Sequence, residues 1–192
     1  MKKRNLLQIV LVVIALLLAY LLYESIMKPV RFNEEVSKRE AAIIEKLKDI
    51  RTMQQTYKSV NGKYAGGFDT LVDFFKNGKL PIIKKIGNVP DTLTEEQALK
   101  MKIVSRDTVY VNPYDEIFQG KKPADFLSKI SIIPYSDNKE FILKAAIITK
   151  SSINVPVFEV SAPYDYYLIG LDKQLVRNLK TKAKDANKFE GL

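Results

Sequence analysis

Residues 6–23, LLQIVLVVIALLLAYLLY, contain one amide and no charge. No other stretch constrains the chain as strongly. Eighteen helical residues reach about 27 Å, close to the hydrocarbon thickness of a bilayer. Extension to Met27 gives a full span. Tyr20 and Tyr23 lie toward its far end, where amphipathic rings favour the interface. A cleaved signal peptide is the alternative, but its apolar core would be about 7–15 residues long. The sequence YESIMKPV after the run is also a poor small-residue cleavage site. The expected organisation is a short N-terminus (residues 1–5), a transmembrane helix (6–27) and an extracytoplasmic domain (28–192). Lys2, Lys3 and Arg4 precede the span. Under the positive-inside rule they orient the N-terminus to the cytoplasm and the rest to the periplasm of an inner membrane.

Gln8, Val12, Ala15 and Ala19 share one helical face. Small residues let a second helix approach, and an amide can bond across, so this stripe is a candidate packing face for another membrane subunit. The span carries no Asp, Glu, Lys or Arg, so it is not expected to move protons or sense voltage.

The chain has no Cys and no His. Disulfides, thiolate metal sites and His-based general acid–base pairs are excluded. Net charge is +9; after the three basic residues at the N-terminus, 28 basic and 22 acidic residues leave +6. A mildly basic domain suits an anionic lipid surface better than nucleic acid, which calls for a compact Arg-rich run. No cofactor is expected.

Beyond the span, Pro29 is expected to break or kink the chain, and Asn33 followed by two acids to cap a new helix. Val36, Ile43, Leu47, Ile50 and Tyr57 then make one apolar stripe over residues 33–60. The opposite face, rich in Lys, Arg and Glu, is expected to be solvated. Packing on the protein's own sheet is a better use of the stripe than a coiled coil, because Asn33, Glu40 and Gln54 interrupt the seam.

Asn-Gly-Lys occurs twice. Neither copy is flanked by period-two strands or by a Gly-rich loop ending in Lys-Ser/Thr. Hairpin and phosphate loop therefore give way to helix stops at Asn61-Gly62 and Asn77-Gly78. Between them, Asp69 or Thr70 is expected to cap a short helix with Leu71, Phe74 and Phe75 inward.

Further along, LPIIKKI (80–86), DTVYV (107–111) and VPVFEVSAP (155–163) read as strands. TEEQALKM reads as a short helix from Thr94 and Gln97 at capping-box spacing. PADFLSKI reads as one or two helical turns. Residues 128–149 read as two strands joined near Ser136-Asp137-Asn138. Asp172 caps a basic C-terminal helix with Leu175, Leu179 and Ala183 inward. The fold class expected is α+β: a transmembrane helix, a long amphipathic helix, an antiparallel β-sheet domain and a C-terminal helix.

The stretch IRTMQQTYKSVNGKYAGGFDTLVDFF resembles the end of the long N-terminal helix in type IV pilin-like proteins, especially the major pseudopilins of type II secretion. Tyr57, Asn61, Gly62, Lys63, Tyr64 and Leu71 stand where that family has a Tyr, an Asn-Gly-basic-Tyr sequence and a Leu-rich short helix. The resemblance covers about residues 39–80 and implies a membrane-embedded helix feeding a small sheet domain. The family's processing motif is absent: no Gly precedes the run and no Glu lies within it.

Three functions are consistent with these features. The leading one is a non-enzymatic structural or interaction subunit of an envelope assembly, of the pilin-like secretion or pilus kind. The second is an accessory subunit of an ion-driven or transport complex, docked through the membrane face. The third is a periplasmic glycan-binding protein or Ser/Lys-type enzyme, for which the Tyr-rich PYDYY (163–167) is the candidate pocket. No Ser lies in a recognisable nucleophile motif, and no catalytic, cofactor or metal-ligating residue is assigned. The partners expected are other membrane subunits and the bilayer.

Overall fold

A computed structural model describes residues 2–86 and 105–192. The helix expected from Thr94 and Gln97 lies outside the described residues, as do the side chains of Lys2, Lys3 and Arg4.

Helix α1 runs unbroken from Lys2 to Asn61, with Pro29 inside it. The expected break at Pro29 and new start at Asn33 do not occur. A proline forfeits one i→i−4 bond, but no glycine follows it within the helix, and burial of Phe32 and Val36 holds the next turns in place. The apolar N-terminal run and the amphipathic helix are therefore one element.

Among the described residues the remaining elements are α2 (Phe68–Asn77), β1 (Leu80–Ile86), β2 (Ser105–Val111), α3 (Pro113–Phe118), α4 (Phe126–Lys129), β3 (Ile142–Lys150), β4 (Ile153–Ser161), α5 (Tyr164–Tyr167) and α6 (Lys173–Asp185). The fold is mixed helix and antiparallel strand, as expected. The strands form two separate two-stranded sheets, β1–β2 and β3–β4, rather than one sheet. In the first, Leu80 stands opposite Val111 and Ile83 opposite Thr108.

Two compact units emerge. One contains residues 1–45, 133–140 and 161–192; the other contains 46–132 and 141–160. In the second unit the last four turns of α1 bury Ile50, Met53 and Gln54, while α2 buries Leu71 and Phe75. A run of aromatic contacts joins its helices. Tyr57 meets Phe74 edge-on at 5.2 Å between centroids, Phe75 meets Phe118 at 6.0 Å, and Phe118 meets Phe126 at 4.9 Å. Such pairs add to simple area burial. In the first unit Val36 and Ile43 of α1 are buried, with Ile133, Tyr167, Leu168 and Ala183.

Both helix stops occur, by different physics. Gly62 has φ +71° and its N–H bonds the Lys58 carbonyl at 2.8 Å, the left-handed stop expected. Gly78 is extended (φ −73°, ψ 170°). Its glycine is required because a Cβ would stand 2.3 Å from the Phe74 carbonyl oxygen. Helix α2 begins earlier than expected: Gly67 is its N-cap, and neither Asp69 nor Thr70 caps it.

The strand pair expected across Ser136-Asp137-Asn138 is also corrected. β3 exists, but its partner is β4, through a turn at Ser151 and Ser152 with φ of 51° and 64°. Across Ser136-Asp137-Asn138 the pairing is only a short bridge: the Ile133 N–H donates to the Lys139 carbonyl and the Phe141 N–H to the Ser131 carbonyl, each at 2.8 Å. It does not lengthen into a strand, and Pro134 has no N–H with which to extend the ladder. PADFLSKI supplies the single turn α4.

Candidate functional site

In α1, the side chains from Leu7 to Ile26 are exposed on nearly every face, Leu7 at 68% and Ile26 at 66%. The apolar window has a mean hydropathy of 2.5, and none of it is buried against the rest of the chain. A helix apolar all round and unpacked is long enough to cross a bilayer. Gln8, Val12, Ala15 and Ala19 lie within this exposed stretch, and among the described residues no other element covers them.

The charged face of α1 is not simply solvated. Arg39 Nε donates to Glu35 at 3.0 Å, and an NH1 of the same guanidinium donates to the carbonyls of Tyr167 and Ile169 at 2.8 and 2.9 Å. Its Cζ lies 5.3 Å from the Tyr135 ring centroid. Glu40 accepts from the Tyr167 hydroxyl at 3.3 Å. These contacts tie α5 and the loop after it to α1. In the other unit, the Lys46 ammonium donates to the carbonyls of Lys129 and Ile132, capping the end of α4. Lys122 pairs with Asp49 at 2.7 Å. Burial, and then the nearby Lys129 ammonium, hold Lys46 below its usual pKa.

Tyr167 of PYDYY is fully buried. Burial, and then the Glu40 carboxylate, raise its hydroxyl well above the ordinary tyrosine range. Asp165 pairs with Lys180 of α6. The other PYD tyrosine, Tyr114, sits in the aromatic run and donates to the Lys122 carbonyl at 3.2 Å. These rings pack with their hydroxyls engaged. Among the described residues no group of three carboxylates is placed to hold a metal ion.

Gln54 was expected only as an interruption of the seam. It is fully buried, and its amide makes a reciprocal pair with Ala65: Nε2 donates to the Ala65 carbonyl and Oε1 accepts the Ala65 N–H, each at 2.9 Å. The side chain thereby fixes the loop after the first Asn-Gly-Lys. Next to it the Tyr64 ring packs on Phe158 of β4 at 4.6 Å between centroids, and the Lys58 ammonium lies over the Tyr64 ring at 4.8 Å. Here the end of α1 meets the β3–β4 hairpin.

Ala146 and Ile147 border a hollow with Tyr64, Gly66 and Thr70, and the rest of the hairpin tip is open. Residues 146–155 are exposed without interruption, including Ile147 at 63% and Ile153 at 65%. A two-stranded sheet also has two unpaired edges, which natural proteins ordinarily cover or blunt.

No family model, curated protein or solved structure matches this chain.

Proposed function

We propose that the chain is a single-pass protein of the inner membrane, with its N-terminus in the cytoplasm and residues 28–192 in the periplasm. In this reading it is a non-enzymatic structural or interaction subunit of an envelope assembly of the pilin-like kind. One observation carries the reading: α1 is apolar and bare over residues 7–26, yet continues without a break into the folded body. The exposed β3–β4 hairpin supports the subunit role, since it offers apolar side chains and free strand edges to a partner. The stripe of Gln8, Val12, Ala15 and Ala19 supports docking within the bilayer, and the alternative of an accessory subunit beside an ion-driven or transport complex uses the same stripe.

Membrane fractions washed with alkaline carbonate, followed by intact-mass measurement, test the anchor. The expected result is a full-length chain in the pellet. Recovery in the supernatant, or a mature chain lacking the apolar run, overturns it. Protease added to intact spheroplasts tests the orientation: residues 28–192 are expected to be degraded. Mild-detergent co-purification tests the subunit role; a lone monomer counts against it. Loss of the partner after Ala15→Leu with Ala19→Leu would place the contact in the bilayer.

A further inference from the structure

Helix α6 begins beside the end of the apolar run. Asp172, Gln174 and Leu175 border one hollow with Leu21, Glu24, Ser25 and Lys28 of α1. Those four residues span about 10 Å of helix, level with Tyr23 and the expected bilayer surface. The first turns of α6 also help to line a second hollow, a cleft of about 710 Å³ shared with α5 and the loop after it. Its wall is apolar, from Tyr164, Leu168 and Val176, and its rim carries three cations, Lys173, Arg177 and Lys180, against the one carboxylate of Asp165. The three cations recur at i, i+4 and i+7, so one face of α6 presents them all. Lys180 is engaged by Asp165. Lys173 and Arg177 are exposed, and among the described residues no carboxylate lies within ion-pair distance of either. Ile169, at the lip, is 41% exposed, and the Arg39 bond to its carbonyl holds this loop in place. The first N–H groups of α6 are not the attraction, because Asp172 already accepts from Gln174 and Leu175 at 2.9 and 3.1 Å.

We infer that this cleft holds the phosphate-bearing headgroup of an anionic phospholipid in the leaflet that α1 leaves. Lys173 and Arg177 face the phosphate, and the apolar wall takes the glycerol end of the lipid. The inference rests on the anchor reading above. Charge complementarity and depth select this occupant: cations beside a membrane exit meet a surface rich in phosphate, and each is worth roughly a fivefold preference for anionic lipid. The headgroup would fix the body of the protein against the membrane rather than leave it turning on α1.

The test uses the full-length chain in nanodiscs of phosphatidylcholine, with or without phosphatidylglycerol, read by hydrogen exchange over residues 168–180 and by lipid retention in native mass spectrometry. Exchange is expected to slow severalfold with phosphatidylglycerol. Lys173→Gln with Arg177→Gln should abolish the slowing and reduce the retention preference roughly fivefold per cation removed. Lys173→Arg should keep both. Inorganic phosphate added to phosphatidylcholine discs should have no effect. Equal exchange in the two kinds of disc overturns the proposal, and so does phosphate alone reproducing the protection. Failure to enter either disc is a different result: it removes the anchor reading itself.

Discussion

Gln54 shows what one side chain contributes at the junction between helix and loop. Its amide satisfies both backbone groups of Ala65 in a fully buried setting. Gln54→Leu keeps the volume but leaves a buried N–H and a buried C=O without partners. Each orphaned group costs about 1–3 kcal/mol, so for the two a loss of about 2–6 kcal/mol is expected, read as a lower thermal midpoint by circular dichroism in detergent. An unchanged midpoint would mean that the pair is dispensable. Tyr167 carries a pH dependence. Its folded-state pKa is raised above the ordinary 10.0, by burial first and the Glu40 carboxylate second. The stabilisation is therefore fully present below pH 10 and is lost as pH rises beyond it, because the unfolded chain ionises there while the folded one resists. Lys46 acts with the opposite sign: its lowered pKa adds stability as pH rises toward 10.5. Comparing the parent chain with Tyr167→Phe isolates the tyrosine. The variant should be about 1 kcal/mol less stable at neutral pH, with that gap closing above pH 10. A constant gap would refute the assignment. None of these roles was legible in the sequence. A glutamine, a tyrosine or an arginine on a charged helix face carries no mark of the backbone group, far along the chain, that it will meet. Composition suggests a solvated face for residues 37–49, yet Arg39, Glu40, Lys46 and Asp49 all have tertiary partners.

At the scale of elements, local chemistry was more readable, and its failures are instructive. The apolar stripe of α1, the short α2, the strand at 80–86 and the Asp172 cap follow from period and capping, which act within a few residues. Pro29 misled because a proline's local cost can be offset by the burial of Phe32 and Val36 one turn later. The β3–β4 turn was missed because Ser151-Ser152 adopts the left-handed pair that Asn-Gly usually supplies. The two Asn-Gly-Lys copies are alike in sequence and separable by mutation. Gly62→Ala places a Cβ in open space at φ +71°, so only the left-handed strain of about 1–2 kcal/mol applies. Gly62→Asn, which tolerates that conformation, should recover much of it. Gly78→Ala instead drives a Cβ into the Phe74 carbonyl. It should cost about 2–3 kcal/mol, and Asn should not rescue it. Thermal midpoints of the four variants check this; equal rescue at both positions would show that the two stops work alike.

At the scale of the whole chain, the apolar run and the β3–β4 hairpin are two long exposed stretches rich in apolar side chains among the described residues. The run was legible because it needs no tertiary knowledge: eighteen uncharged residues suffice. The hairpin was not, because Ile147, Ile148 and Ile153 read as core residues of a sheet, and only the split into two small sheets leaves them uncovered. If the hairpin is where a partner adds, its tip can be altered without altering the fold, since exposed positions contribute within about 0.5 kcal/mol. Ile147→Lys with Ile153→Lys should leave the thermal midpoint and the membrane fraction unchanged. It should remove proteins that co-purify with the parent chain in mild detergent, because a lysine pair desolvated in an apolar contact is strongly disfavoured. Retention of the same co-purifying set by this variant, alongside its loss in Ala15→Leu with Ala19→Leu, would shift the contact from the hairpin to the membrane face of α1. Loss in the hairpin variant alone would assign assembly to the domain outside the bilayer and leave α1 as an anchor.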